Sequence, residues 1–142
     1  MSEGGAGLGG PHSGSCLCGG VRFKLQGAFE SFFLCHCAYC RKDTGSAHAA
    51  NLFSSTAKVE WVCGRDLVRD YSLPGTRHAR SFCSVCGSAL PHVMEAMVVV
   101  PAGCLDTDPA VKPDAHIFAA SRAPWDHGLA ELRSFDAFPA SV

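Results

Sequence analysis

Little in this sequence points to a membrane, a nucleic acid or the cell exterior. No apolar run is longer than a few residues, so no segment is predicted to span a bilayer. The chain has 12 Lys and Arg residues and 13 Asp and Glu residues. Its net charge of −1 gives no overall positive potential that would attract nucleic acid or anionic lipid. Met1 to Gly5 has neither the basic nor the apolar part of a secretory signal, so we expect a cytoplasmic protein.

The composition is that of one globular domain. Apolar residues make up 47% of the 142 residues and charged residues only 18%, and a domain usually holds roughly 100–200 residues. Residues 1–13 are rich in glycine, so we expect a flexible lead there and a folded domain over residues 14–142.

Short segments with strand character follow one another closely along the chain. Val21–Leu25 alternates apolar and polar residues, as in a strand with one buried face. Similar segments, bounded by glycine or proline, are Phe29–Leu34, Ala47–Phe53, Val59–Val62, Asp66–Tyr71, Arg80–Phe82, Met97–Val100 and His116–Ala119. One short helix is predicted from Cys37 to Thr44, ending at Gly45. The pattern predicts a mostly-β domain of short strands.

The abundant residue is cysteine, with nine in the chain. An odd number in a reducing compartment favours metal binding over disulfides. Seven of the nine form three close groups, namely Cys16 and Cys18, then Cys35, Cys37 and Cys40, then Cys83 and Cys86.

The first and third groups together predict a closed structural zinc site. Alternate residues of an extended segment point to one side, and a C-x-x-C turn followed by glycine also directs two sulfurs to one ion. Zinc prefers four such ligands in a tetrahedron. We therefore predict a zinc site formed by Cys16, Cys18, Cys83 and Cys86. The alternative is that these residues are small buried apolar side chains.

The second group predicts a different kind of site. Cys35, Cys37 and Cys40 supply three ligands and leave a fourth position open, as in catalytic zinc sites. If Cys35 and Cys37 face the ion from one extended segment, the intervening His36 points away and is not a ligand. Arg41 and Lys42 follow directly, either to bind an anionic substrate or as an ordinary solvated turn.

The remaining cysteines and the tryptophans are predicted to be packing residues. Cys63 and Cys104 stand alone, so each is expected to be a buried apolar side chain. Trp61 and Trp125 are expected to anchor the core. The histidines outside the cysteine groups have no assigned role.

Several motifs together resemble the glutathione-dependent formaldehyde-activating (GFA) family, also called the centromere protein V domain family. They occur in order along the chain, at Gly14–Val21, Cys35–Lys42 with Gly45 and Ser46, Phe82–Leu90, Gly103–Asp106 and His116–Trp125. The resemblance implies a small, zinc-stapled β-tent. It also implies two Zn²⁺ per chain, a structural one on Cys16, Cys18, Cys83 and Cys86, and one at the active site on Cys35, Cys37 and Cys40.

The resemblance further implies a carbon–sulfur lyase or synthase reaction, in which glutathione adds to formaldehyde and gives S-hydroxymethylglutathione. An open thiolate-bound zinc suits this reaction, either by polarising the aldehyde oxygen or by binding the sulfur as a thiolate. The alternative function is a non-catalytic zinc module that binds glutathione or a protein partner. A nucleic-acid-binding zinc ribbon is disfavoured, because seven thiolates with two Zn²⁺ make the chain still more acidic.

Overall fold

A computed structural model of the protein describes residues 11–140. Within this range the chain forms short strands and one α-helix, α1, at Ala38–Thr44. The strands are β1 (His12–Ser15), β2 (Arg22–Gln26), β3 (Ser31–Cys35), β4 (Ala49–Ser54), β5 (Lys58–Cys63), β6 (Val68–Ser72), β7 (Ala79–Cys83), β8 (Ala89–Leu90), β9 (His92–Val93), β10 (Val98–Pro101) and β11 (Ala115–Ile117). Four 3₁₀ turns lie at Arg65–Leu67, Ala102–Cys104, Ala119–Ser121 and Leu129–Glu131.

The strands form three small sheets. The largest has the order β9-β10-β4-β3-β11, and two three-stranded sheets have the orders β1-β2-β5 and β6-β7-β8. Neighbouring strands are antiparallel, with one exception among the described strands: β11 runs parallel to β3, with Ile117 opposite Cys35. The predicted mostly-β fold of short antiparallel strands is confirmed, and this one parallel pair is a departure from it.

The core lies where the sheets meet, and the alternation predicted around Val21–Leu25 is present. Phe23 and Leu25 in β2 are buried while their strand neighbours are exposed. The Phe23 ring meets the half-buried Trp61 of β5 edge-on, at 6.0 Å between ring centroids. Leu52 and Val100 are also fully buried. Each such side chain contributes about 1.5–3 kcal/mol by leaving water, so these positions bind the sheets together.

The N-terminal boundary of the domain lies earlier than predicted. His12 and Ser13 belong to β1 and pair with Leu25 and Lys24 of β2. His12 is buried and its Nδ1 lies 3.1 Å from Thr107 Oγ1, so it is part of the fold and not of a flexible lead. The first ten residues of the predicted lead lie outside the described residues.

Other sequence-based expectations also need correction. Trp125 is 61% exposed and anchors no core. The strand predicted over Asp66–Tyr71 starts as the 3₁₀ turn and becomes β6 only at Val68. Cys63 is exposed, because it ends β5 on the solvent side, and the prediction that it is buried was wrong. Among residues 11–140, no helix is long and apolar enough to cross a bilayer.

Candidate active site

The first cysteine cluster joins two loops that are distant in sequence. One loop follows β1 and carries Cys16 and Cys18, and the other follows β7 and carries Cys86 just after Cys83. The four sulfurs all lie within 4.8 Å of one another. The Cys16–Cys18 and Cys18–Cys83 sulfur separations are 3.5 and 4.0 Å. A tetrahedron of thiolates at 2.3 Å from zinc requires about 3.8 Å between sulfurs, so this cluster fits a zinc ion.

Two similar turns bring these sulfurs together. Gly19 and Gly87 both have φ of +78°, a conformation that side-chain-bearing residues rarely adopt. Their amides donate to the carbonyls of Cys16 and Cys83, at 3.0 and 2.8 Å. Gly87 therefore has the role that the sequence predicts for the glycine after C-x-x-C, and Gly19 makes a similar turn after Cys18.

Ser88 links the two loops of this cluster. Its hydroxyl accepts a hydrogen bond from the Leu17 amide at 2.7 Å and lies 3.3 Å from the sulfur of Cys86. Hydrogen bonding to the side chain and backbone of Ser88 lowers the pKa of Cys86 to about 5. Amides of Val21 and Val85 donate to the sulfurs of Cys16 and Cys83, at 3.2 and 3.4 Å. These contacts favour thiolates, the form in which cysteine binds a metal.

The second cluster is made by one short segment. Cys35 ends β3, Cys37 is the N-cap of α1 and Cys40 lies in its first turn. Their sulfurs also lie within 4.8 Å of one another. The Cys37 sulfur accepts the Cys40 amide at 3.3 Å, so it caps the helix and stays in place. Three sulfurs are too few to surround a zinc ion, so this cluster fits an ion with one position left for another ligand.

The three sulfurs differ in how readily they ionise. Burial raises the pKa of Cys40 and, to a smaller degree, that of Cys35. Burial also opposes ionisation of the half-buried Cys37, but hydrogen bonds from the Cys40 amide and from the neighbouring thiols lower its pKa below the ordinary value. Cys37 is therefore the sulfur of this cluster that most readily becomes a thiolate.

His36 lies behind the second cluster and belongs to another network. Its side chain is fully buried, and its Nε2 lies 2.8 Å from Nδ1 of His116. Its Nδ1 lies 3.3 Å from the Asp126 carboxylate without hydrogen-bond alignment, and Asp126 accepts a 3.0 Å hydrogen bond from Nε of Arg122. Burial lowers the pKa of His36. His36 is not among the residues of either cysteine cluster.

A pocket of about 180 Å³, with a mixed apolar and polar lining, lies beside the second cluster and includes Cys40 in its wall. Its other walls come from the end of α1, from β4 and from the strands around β7. The polar side chains that line it are Asp43, Thr44, His48, Asn51, His78, Arg80, Ser81 and His92. Pockets for whole ligands usually measure roughly 300–1,000 Å³, so this pocket is smaller than a typical site for a whole ligand.

The two cations predicted to bind substrate do not line this pocket. Lys42 is exposed to solvent, and Arg41 is half-buried, with an Nε that has no hydrogen-bond partner among residues 11–140. Arg80 is the arginine in the pocket wall. Sequence reasoning missed it, along with Asp43 and His78, because none of the three belongs to a cysteine motif.

A second cavity is larger, about 440 Å³, and lies beside Trp61 and the loop between β9 and β10. No cysteine lines it.

Cys104, the other lone cysteine, is half-buried against the core as predicted, and burial raises its pKa to about 12. A third cavity, of about 450 Å³, is lined by Cys16 and Cys104 beside the four-sulfur cluster. The smaller pocket is the one of the three that is lined by a cysteine of the three-sulfur cluster.

A small β domain with one four-sulfur and one three-sulfur cluster defines a class of cysteine-rich domains fitted to hold metal ions. Residues 11–121 match the family model described as "Glutathione-dependent formaldehyde-activating enzyme". The chain belongs to this GFA family.

Relatives of the chain agree with this assignment. A Halomonas elongata protein named "Putative glutathione-dependent formaldehyde-activating enzyme" is 33% identical over 125 residues, which cover 79% of this chain and 77% of that protein. The crystal structure of a Rhodobacter sphaeroides protein has a TM-score of 0.55 at 23% identity, over 73% of this chain and 98% of that one. The structural likeness supports the fold alone.

Proposed function

We propose that the protein is a zinc-dependent carbon–sulfur lyase or synthase, which adds glutathione or another small thiol to formaldehyde or a related aldehyde. The observation that carries this proposal is the three-sulfur cluster with a pocket beside Cys40 whose wall holds several polar side chains. Family membership and the name of the Halomonas elongata relative support glutathione and formaldehyde as the substrate pair.

Two zinc ions are proposed, with different roles. Cys16, Cys18, Cys83 and Cys86 would hold a structural ion, because their sulfur spacing suits a closed tetrahedron. Cys35, Cys37 and Cys40 would hold the other ion at the active site. Zinc bound there would supply Lewis acidity, which lowers the pKa of a thiol or polarises an aldehyde oxygen.

The protein's own residues bind and orient the substrates. Arg80 is a residue of the pocket wall, and its guanidinium would suit a carboxylate of a small peptide-like thiol. Arg41 adds positive charge beside Cys40, and its buried, unpartnered Nε suits an anionic group, while exposed Lys42 attracts anions at longer range. The addition of thiols to formaldehyde is rapid in water, so holding the two reactants together accounts for much of the task.

The same features suggest a setting for the protein. Clusters of seven thiols stay intact in a reducing compartment, so we propose the cytoplasm. Small molecules rather than nucleic acids are the proposed partners, because the chain has a net charge of −1.

The test is calorimetric titration of reduced glutathione into zinc-replete protein. We expect saturable binding to the wild type and none to Cys37→Ser. Cys63→Ser is the matched control, because Cys63 is an exposed cysteine outside both clusters, and it should bind as the wild type does. Equal binding by Cys37→Ser would contradict the site, and no binding by the wild type would exclude glutathione.

Turnover is measured separately by NMR exchange spectroscopy at equilibrium between glutathione, formaldehyde and their adduct. An exchange rate that rises in proportion to protein concentration supports an enzyme. Saturable binding with no rate above the uncatalysed background would instead identify a non-catalytic module.

A further inference from the structure

Asp43 and His78 form a close pair in the wall of the pocket beside Cys40. The Nε2 of His78 lies 2.5 Å from Oδ2 of Asp43. Both side chains are about one-fifth exposed, so the pair is in contact with solvent but is mostly enclosed by protein. Neither residue lies in a cysteine motif, and the binding roles described above make no use of them.

The pair is tied to the second cluster through α1. Asp43 follows Cys40 by one helical turn, and residues at this spacing share a helix face. His78 comes from the loop before β7, and the Tyr39 ring packs against its imidazole at 5.5 Å between centroids. The imidazole is thus held from two sides by the same short helix that carries the cysteine.

The hydrogen bond to Asp43 selects a tautomer. A carboxylate accepts a proton, so it favours the imidazole that carries its hydrogen on Nε2 and leaves a lone pair on Nδ1. The same arrangement, with a carboxylate on one ring nitrogen, orients the histidine base in many hydrolases. His78 therefore has the form that can accept a proton and return it.

The proposed addition needs such a group. The sulfur–hydrogen bond of the thiol breaks, a sulfur–carbon bond forms and the π bond of the aldehyde breaks. The aldehyde oxygen then takes up one proton, so the thiol proton is transferred and none is gained or lost overall. A single residue that accepts the proton and then donates it meets this requirement.

We propose that His78 is the acid–base residue that carries the proton from the thiol sulfur to the aldehyde oxygen, and that Asp43 is its positioning residue. This inference rests on the proposed addition of a thiol to an aldehyde.

The charged and titratable neighbours of the pair are consistent with this role. Arg80 Nε lies 3.9 Å from the Asp43 carboxylate, and the Tyr39 ring packs against the ring of His78. His48 and His92 are the other histidines in the pocket wall. Nδ1 of His48 is buried and has no hydrogen-bond partner among residues 11–140. Nδ1 of His92 lies 2.8 Å from the Ser81 hydroxyl, which donates to Asp70, and the Asp70 carboxylate itself is 4.0 Å away, beyond hydrogen-bond distance. The direct pair at α1 is favoured for that reason.

The first test measures the exchange rate in His78→Gln, whose amide can still donate to Asp43. We expect glutathione binding to stay within about threefold of the wild type, while the protein-dependent rate falls about tenfold or more, as for loss of a general acid–base group. His127→Gln, an exposed histidine outside the pocket, should leave both unchanged. Added imidazole should restore part of the rate to His78→Ala, which no purely structural role of His78 explains.

Two further measurements follow the thiol proton and the protonation of His78 directly. Calorimetry in buffers of different ionisation enthalpy counts protons released when glutathione binds, and His78→Gln should release more than the wild type because the imidazole no longer accepts the thiol proton. Nitrogen-15 NMR of the wild type should show His78 with a hydrogen on Nε2 only, and Asp43→Asn should shift that tautomer and lower the turnover number more than the affinity.

The outcomes separate this inference from the proposed function. Wild-type protein that neither binds glutathione nor accelerates exchange overturns both. An active wild type with an unimpaired His78→Gln variant, or with the loss confined to His92→Gln, overturns the role of His78 alone. A His78 ring that carries both protons at neutral pH also overturns it, because it has no lone pair to offer.

Discussion

The two cysteine clusters are built on opposite plans. The four-sulfur cluster joins loops whose cysteines, such as Cys18 and Cys83, stand 65 positions apart. The three-sulfur cluster comes from the end of β3 and the first turn of α1 and needs no distant residue. Closing a long loop removes more freedom from the unfolded chain than organising a short one, so a metal in the first cluster acts on the whole fold. A metal in the second acts on one helix and the pocket beside it.

The largest expected effect separates the clusters by stability. Cys83→Ser removes a fully buried sulfur of the four-sulfur cluster, which is the proposed structural zinc site. Structural zinc supplies about 10–16 kcal/mol of binding free energy, comparable to the whole stability of a domain. We expect Cys83→Ser to lose its cooperative thermal transition, measured by circular dichroism. Cys35→Ser, the matched change in the other cluster, should keep a cooperative transition and lose one metal equivalent. Equal behaviour of the two variants would break the comparison.

Chelation should remove the two metals in order. The three-sulfur cluster provides fewer ligands and lies beside a pocket, so its ion should leave at chelator concentrations about a hundredfold lower. A colorimetric zinc assay should show two steps of one equivalent each, and the fold should be lost only in the second. One concerted step would show that the clusters are not independent.

A smaller effect on stability is expected from the polar network behind the three-sulfur cluster, which consists of His36, His116, Arg122 and Asp126. Asp126→Asn weakens the bond from Arg122 Nε and the attraction to His36, at a cost of about 1–3 kcal/mol in the free energy of unfolding. Chemical denaturation measures this cost. We expect the metal of the three-sulfur cluster to become easier to chelate, while that of the four-sulfur cluster stays as in the wild type. Asp136→Asn, an exposed carboxylate, is the control.

The smallest effects are expected from glycine substitutions in two similar turns, one beside each cysteine cluster. Gly87 near the four-sulfur cluster and Gly45 at the end of α1 both have positive φ, with open space where a Cβ would be. Alanine at either site costs about 1–2 kcal/mol through backbone strain alone. Gly87→Ala should weaken the tighter metal and Gly45→Ala the looser one, as read by the chelator assay. The reverse assignment would contradict the proposed division of roles.

Metal clusters are predictable from sequence because ligand spacing is local. The cysteine groups and their glycines dictate turns within five or six residues, so Cys16 and Cys18 could be paired with Cys83 and Cys86 by ligand number alone. Alternating strands such as β2 were predictable for the same reason, since burial follows a period of two.

The pocket was not predictable, because its walls meet only in the folded chain. Asp43, His78 and Arg80 come from a helix and a hairpin that nothing local pairs together. The parallel pairing of β11 with β3 likewise depends on a long connection. Trp125 was assigned to the core by its type, but its ring is exposed even though Ala123 and Asp126 beside it are buried. Asp43 and His78 are 35 residues apart and belong to no recognisable motif, so their pairing could not be predicted from sequence spacing.

The positions of the two clusters along the chain determine which cluster is completed first during synthesis. During synthesis at about 5–20 residues per second, Cys86 leaves the ribosome several seconds after Cys40. The three-sulfur segment is therefore complete while its counterpart still lacks half its ligands, and Ile117, which packs against the three-sulfur cluster, is made later still. On the proposed division of roles, a nascent chain would meet its first metal at the proposed active site, and it would gain the proposed structural ion only after β7 and Cys86 have been made.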